Sequence, residues 1–134
     1  MSAKLVYVED NADAFSLVQL VLGEGCGLDV LPAADGLAGL QVVRAERPDL
    51  VLVDLDLPLL GGLELVRALR GDPSVSATPI VALSANVMQG ERQRCLDAGC
   101  SVFLAKPFDI HELRAVVERL LAGALAADTS ARTR

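Results

Sequence analysis

The chain has 134 residues, which suits one domain with its own hydrophobic core. Hydrophobic residues make up 52% of it, and its net charge of -6, without a block of Lys or Arg, argues against binding a nucleic-acid backbone. The N-terminus lacks a signal-peptide layout, and no apolar run approaches the roughly 20 residues that cross a bilayer. Three scattered cysteines favour reduced thiols and a cytoplasmic location, with a redox pair of Cys95 and Cys100 left open.

Five short apolar runs alternate with longer segments that have helical spacing. After the first run, Ala14, Leu17, Val18, Val21 and Leu22 predict one buried helical face. The next helix is predicted to begin after Asp35 and to end before Pro48, and Asp109 with Glu112 predicts a capped start of the last helix. The runs, each predicted to be a strand, are LVYV (5–8), LDVL (28–31), LVLV (50–53), IVAL (80–83) and VFL (102–104).

This alternation predicts repeated strand–helix–strand units and therefore an α/β fold. We expect a doubly wound, five-stranded parallel sheet in the flavodoxin-like order 2-1-3-4-5, with helices on both faces. The domain is predicted to span residues 1–123. Residues 124–134 lose the apolar period and are predicted to form a flexible C-terminal tail.

Residues with chemically useful side chains follow four of the five predicted strands. Ligands of open parallel sheets bind at the carboxyl ends of the strands, near the point where the strand order reverses. Three carboxylates brought together there would repel one another unless a cation intervened, and oxygen ligands with room for water suit Mg²⁺. The residues at these strand ends are Glu9, Asp10, Asp54, Ser84 and Lys106.

Four motifs carry a resemblance to a known family. They are YVEDN (7–11), VDLDLPLLGG (53–62), ALSAN (82–86) and FLAKPF (103–108). In this order and at these spacings, the chain resembles a response-regulator receiver domain of two-component phosphorelay systems, a family of phosphorylatable regulatory domains rather than enzymes. The resemblance extends from residue 4 to about residue 122.

The resemblance implies a role for each matching residue. Asp54 matches the phosphoacceptor, which becomes an acyl phosphate. Mg²⁺ would be held by Glu9, Asp10, Asp54 and the backbone carbonyl of Asp56. Lys106 matches the lysine that pairs with the phosphoryl group, and the bond to Pro107 is typically cis in the family.

The resemblance also implies a conformational switch. Ser84 matches the hydroxyl that moves to the phosphoryl group, and Phe103 matches an aromatic side chain that turns inward behind it. The change would reach the face formed by helix 4, strand 5 and helix 5. The domain would show at most weak self-phosphorylation and autodephosphorylation.

The expected partners follow from the same resemblance. The phosphoryl donor would be a sensor histidine kinase or a histidine phosphotransfer protein, and the output would be a contact with a downstream protein. We expect no direct DNA binding and no membrane contact, and a monomer or a weak dimer through the helix 4/strand 5/helix 5 face. The chain is either a free-standing receiver or part of a larger protein.

Alternative functions fit the residue pattern less well. Haloacid-dehalogenase-type phosphatases also carry a D-x-D motif after an apolar strand, but there the motif lies on the first strand and the acid pair follows the lysine. A flavodoxin-like cofactor binder needs a Ser-, Thr- and Gly-rich loop after the first strand, where this chain has the acidic EDNADAF. A receiver that only binds partners would not need every catalytic position filled.

Overall fold

The structure, a computed structural model, describes residues 3–57, 61–85 and 90–133, from residue 124 onwards by backbone alone. Strands and helices alternate along these ranges, as the apolar runs predict. In chain order they are β1 (Lys4–Val8), α1 (Ala12–Val18) with a π-helical continuation (Gln19–Glu24), β2 (Asp29–Ala33), α2 (Gly36–Glu46), β3 (Leu50–Asp54), α3 (Gly62–Arg70), β4 (Ile80–Ser84), α4 (Glu91–Ala98), β5 (Val102–Ala105) and α5 (Ile110–Thr133).

The strands form one parallel sheet in the order β2-β1-β3-β4-β5, which confirms the predicted fold. Strand order reverses between β1 and β3, so the ends of these two neighbouring strands flank the switch point. The register pairs Val8 with Val53 and Asp54 with Leu83. The edge strand β2 runs on through Pro32, which an edge position tolerates because one side of the strand needs no donor.

Both faces of the sheet are covered, as the nearly continuous apolar strands require. Alternate residues of each strand point to opposite faces, so each strand contributes to two separate cores. On one face, strand residues such as Val53 and Ala82 pack with α2, α3 and α4. On the other face, residues such as Leu52 and Leu83 pack with α1 and α5.

The first helix departs from the predicted pattern. Val18 and Leu22 are buried as expected, but Leu17 is 50% exposed. From Gln19 the helix becomes π-helical, and the N–H of Gly25 donates to the carbonyl of Leu20, five residues earlier, at 3.1 Å. The wider turn changes which side chains face the sheet, so a simple 3.6-residue period does not describe this segment.

Two predicted helix starts are confirmed. The carboxylate of Asp35 accepts a hydrogen bond from the N–H of Ala38 at 2.8 Å, and α2 ends at Glu46, with Arg47 as its C-cap before Pro48. The carboxylate of Asp109 accepts from the N–H of His111 at 2.7 Å at the start of α5. The backbone of α5 stays helical to Thr133, through the segment expected to be a tail. The division of the chain at residue 123 remains a prediction.

The structure joins Cys95 and Cys100 in a disulfide, which is the alternative that the sequence left open and not the reduced thiols that it favoured. Gly99 ends α4 with a φ of 116°, and this turn brings the N–H of Cys100 to the carbonyl of Cys95 at 3.2 Å. The two Cα atoms are therefore 5.9 Å apart, a normal separation for a disulfide. Sequence spacing alone did not reveal this return of the chain. Cys26 is a free cysteine.

Arg70, the half-buried last residue of α3, forms a hydrogen bond with the same turn. The guanidinium of Arg70 donates to the carbonyls of Gly99 at 2.7 Å, Ser76 at 2.9 Å and Thr78 at 2.7 Å. These bonds connect the ends of α3 and α4 with the approach to β4. Among the described helices, none has the length and apolar character to cross a membrane.

Candidate functional site

Four strands bring the predicted site residues to the carboxyl edge of the sheet. Asp54 is the last residue of β3 and Ser84 the last of β4, while Glu9 directly follows β1 and Lys106 directly follows β5. Because β1 and β3 are adjacent, Glu9 and Asp54, which are 45 positions apart in sequence, need no long side chain to meet. The parallel topology itself assembles the site.

Asp54 lies at the centre of this edge and is buried. One carboxylate oxygen accepts a hydrogen bond from the ammonium of Lys106 at 2.8 Å, and the other accepts from the backbone N–H of Asp56 at 2.9 Å. Burial by itself raises the pKa of Asp54, but hydrogen bonds from Glu9, Lys106 and the Asp56 backbone outweigh it and hold the pKa below its usual value. Asp54 is therefore an ionised carboxylate in a largely water-excluded position.

Glu9 has the opposite electrostatic character. Its carboxyl group accepts hydrogen bonds from the hydroxyl of Tyr7 at 3.2 Å and from the N–H of Asn11 at 3.1 Å. Burial, together with a hydrogen bond to the negatively charged Asp54, raises the pKa of Glu9 to about 7. The charge of Asp54 disfavours a second negative charge on Glu9, because two neighbouring carboxyl groups cannot both ionise cheaply at close range. Burial and Glu9 also raise the pKa of Tyr7.

Excess negative charge at this edge fits a divalent cation. The carboxyl group of Glu9 lies close to those of Asp54 and Asp10, and the side chain of Asp10 is exposed. Over residues 3–57, 61–85 and 90–133, no three Asp, Glu, His or Cys side chains already surround a common metal position. Mg²⁺ commonly uses one or two carboxylates and keeps several waters, so this donor set suits it without a complete protein cage.

Lys106 is held against this acidic cluster from the β5 side. Burial by itself lowers its pKa, but the hydrogen bond and charge of Asp54, with the charges of Glu9 and Asp56, raise it overall. The ammonium is thus a fixed positive charge next to the most buried carboxylate of the edge. The peptide bond between Lys106 and Pro107 is cis.

Sequence reasoning missed the contacts of the Asp56 side chain. The resemblance assigned the backbone carbonyl of Asp56 to the metal and its side chain to a position that tunes acyl-phosphate lifetime, but it named no partner on β4. The carboxylate accepts hydrogen bonds from the Ser84 hydroxyl at 3.3 Å and from the Ala85 N–H at 3.0 Å. Ser84 is fully buried, and the side chain of Asp56 is exposed. An acid two residues after a strand-terminal acid was the available signal, but its partner on β4 depends on the strand register.

Phe103 lies on β5 opposite Ala82 of β4, two residues before Ser84. Its ring belongs to the core beneath α2, α3 and α4, with 9% of the residue exposed. An inward movement of this ring would therefore start from a position that is already mostly buried.

The comparisons with known proteins agree with this architecture. The sequence profile of the response regulator receiver domain matches residues 5–118. The polar-differentiation response regulator DivK of Brucella anthropi is 32% identical over 110 residues, which cover 82% of this chain and 89% of DivK.

Two solved structures have the same fold at appreciable sequence identity. The receiver domain of a sensor histidine kinase from Pseudomonas aeruginosa PAO1 is 34% identical, with a TM-score of 0.83 over 91% of this chain and 99% of that one, and it coordinates a magnesium ion in its active-site cleft. Chemotaxis response regulator CheY4 of Vibrio cholerae is 28% identical, with a TM-score of 0.83 over 90% of this chain and 99% of CheY4. The chain therefore belongs to the response regulator receiver family, whose members are regulatory phosphoacceptor domains of two-component signalling and not conventional enzymes.

Proposed function

We propose that Asp54 is the phosphoacceptor and that its donor is a phosphohistidine on a sensor histidine kinase or a histidine phosphotransfer protein. The observation that carries this proposal is the state of the Asp54 carboxylate: it is buried, ionised and bonded to the Lys106 ammonium at 2.8 Å. A carboxylate of this kind is a competent nucleophile. It lies where the topology of an open parallel sheet places ligands.

The transfer step needs little covalent chemistry from the protein. An oxygen of Asp54 forms a bond to phosphorus while the bond from phosphorus to the donor imidazole breaks, and the imidazole takes up a proton. Lys106 offsets the negative charge on the phosphoryl oxygens, and burial excludes competing water. Later attack by water returns Asp54 to a carboxylate and releases phosphate, so self-catalysed transfer and hydrolysis are weak side reactions of the same site.

The proposed metal ligands are the carboxyl groups of Glu9, Asp10 and Asp54 and the backbone carbonyl of Asp56. The raised pKa of Glu9, caused by burial and by the neighbouring Asp54, supports a cation at this edge, because a cation would relieve the repulsion between the two carboxylates. So does the magnesium ion in the related Pseudomonas receiver domain. Bound Mg²⁺ would offset charge on the transferring phosphoryl group.

The proposed response begins at Ser84. Its hydroxyl donates to the new phosphoryl group, and the rearrangement passes through Phe103 to the face formed by α4, β5 and α5. This face then controls a downstream protein partner. A cytoplasmic location, a monomer or weak dimer through this face, and the absence of direct DNA or membrane binding belong to the same proposal.

The first test is labelling by a small phosphodonor. With acetyl phosphate and Mg²⁺, the wild-type chain is expected to gain the mass of one phosphoryl group, and Asp54→Asn is expected to gain none. Asp29→Asn is the matched control, because Asp29 is an exposed aspartate at the opposite, amino-terminal edge of the sheet. Circular dichroism would show that both variants are folded. Labelled Asp54→Asn would contradict the assignment.

A further inference from the structure

The side chain of Asp56 connects the ends of two neighbouring strands. Its two oxygens accept separate hydrogen bonds, one from the Ser84 hydroxyl at 3.3 Å and one from the Ala85 N–H at 3.0 Å. Its own N–H donates to Asp54 at 2.9 Å. Asp56 thus joins the proposed phosphoacceptor on β3 to the proposed switch hydroxyl on β4, through its backbone on one side and its carboxylate on the other.

This arrangement creates a competition for one proton. A serine hydroxyl has a single O–H to donate, so Ser84 cannot donate to Asp56 and to a phosphoryl group at the same time. A phosphoryl group on Asp54 adds about -1.5 to -2 charge and three acceptor oxygens, making it the stronger acceptor. It also places negative charge two residues from the Asp56 carboxylate.

We infer that Asp56 is a positioning residue that holds Ser84 and Ala85 in the unphosphorylated arrangement and competes with the phosphoryl group for the Ser84 hydroxyl. The free energy of the switch then includes the cost of separating Asp56 from these two donors. This inference rests on the proposed function. It goes beyond the backbone-ligand role of Asp56 and beyond the tuning of acyl-phosphate lifetime that the family resemblance implies for this position, because it names Ser84 and Ala85 as the groups that the carboxylate holds.

The Asp56 side chain can be tested without disturbing the proposed metal site. Its carboxylate is exposed, and the groups expected to serve Asp54 and the metal are its N–H and its carbonyl, which every substitution except proline retains. Asp56→Ala removes both acceptor oxygens. Asp29→Ala removes one negative charge at the opposite edge of the sheet and is the charge control.

The main experiment measures the affinity for beryllium fluoride, a phosphoryl mimic, at saturating Mg²⁺. Asp56→Ala is expected to bind it about three- to tenfold more tightly than wild type, the size expected for losing one competing hydrogen bond of ordinary net strength. The same substitution in a Ser84→Ala background is expected to have an effect at least about threefold smaller, because the hydroxyl in dispute is absent. Asp29→Ala is expected to match wild type.

Each outcome has a definite meaning. If Asp56→Ala raises the affinity equally in the wild-type and Ser84→Ala backgrounds, Asp56 acts only through its charge. If it does not raise the affinity at all, Asp56 does not compete for the Ser84 hydroxyl. Either result overturns the inference. A wild-type chain that fails to bind beryllium fluoride contradicts the proposed function instead.

A second measurement does not depend on the phosphoryl mimic. In the unphosphorylated protein, hydrogen exchange at the Ala85 amide is expected to be faster in Asp56→Ala than in wild type, with thermal unfolding confirming the fold. An unchanged exchange rate at Ala85 would overturn the holding contact even if Ser84→Ala binds the mimic too weakly to complete the cycle.

Discussion

Two neighbouring carboxyl groups of the site have opposite protonation behaviour because their hydrogen-bond partners differ. Asp54 accepts from an ammonium and a backbone N–H, which favour its charged form. Glu9 is buried beside the charge of Asp54, which favours its neutral form and raises its pKa to about 7. The environment therefore favours a negative charge on Asp54 and a neutral Glu9.

This difference predicts how stability depends on pH without metal. The folded-state pKa of Glu9 is raised from 4.5 to about 7, so its contribution to stability is fully present below pH 4.5 and is lost as the pH rises through 7. In EDTA, the free energy of unfolding of wild type is expected to fall between pH 5 and pH 8. Each unit of the Glu9 pKa shift can lower it by at most about 1.4 kcal/mol. Urea titrations at each pH measure it.

Glu9→Gln is the comparison for this prediction, because glutamine keeps the shape of the side chain but does not titrate. Its free energy of unfolding is expected to change less between pH 5 and pH 8 than that of wild type. Saturating Mg²⁺ is expected to reduce the pH-dependent fall in the stability of wild type. Parallel profiles for wild type and Glu9→Gln would show that Glu9 is not the titrating group.

Lys106 gives a prediction that separates phosphorylation from response. Lys106→Ala removes the ammonium that is bonded to Asp54 but leaves the nucleophile, so labelling by acetyl phosphate is expected to persist. The amide chemical-shift changes that phosphorylation causes in α4 and β5 are expected to fall well below those of wild type. Lys4→Ala, the substitution of the chain's other lysine, is the control and is expected to respond as wild type does. A full response in Lys106→Ala would remove Lys106 from the switch.

At the scale of elements, strands were predictable because parallel strands covered on both faces leave continuous apolar runs. The helices were harder to predict than the strands. Leu17 fits a buried 3.6-residue period, yet the π-helical turns that follow leave it half exposed. The apolar period also fades after residue 123, while the backbone of α5 continues to Thr133, through an alanine-rich stretch that favours helix regardless of burial.

The packing of α2 on β1 gives a stability prediction. A Cβ at Gly39 would lie 2.9 Å from Cγ2 of Val8 and 3.2 Å from Cδ2 of Leu65. Overpacking costs about 1–3 kcal/mol, and the better helix propensity of alanine returns up to about 1 kcal/mol. Gly39→Ala is therefore expected to lower the free energy of unfolding by about 1 kcal/mol in urea denaturation.

Gly123→Ala is the matched control, since a Cβ there meets nothing within 4 Å and the residue lies inside α5. It is expected to be neutral or to stabilise by up to about 1 kcal/mol. If Gly39→Ala stabilised the chain as much as Gly123→Ala does, close packing of α2 on β1 would not be the reason for glycine at residue 39.

At the scale of the molecule, the strand order determines which distant residues meet. Because strand ends could be located from apolar runs, the placement of Asp54, Ser84 and Lys106 at one edge was predictable. The Asp56 contacts were not predictable, because they depend on the register of β4 against β3. The Cys95–Cys100 pair could be named only as an alternative, because it depends on a left-handed turn at Gly99. Sequence patterns give the position of a side chain along the chain but not its exact neighbours.

The central claim is that the edge of the sheet converges on one aspartate that takes a phosphoryl group. The most direct measurement is to phosphorylate the wild-type chain, reduce the acyl phosphate with borohydride, and locate the reduced residue by peptide mass spectrometry. Reduction is expected at Asp54, with Glu9, Asp10 and Asp56 unmodified. Reduction at any of those three residues, with Asp54 intact, would contradict it.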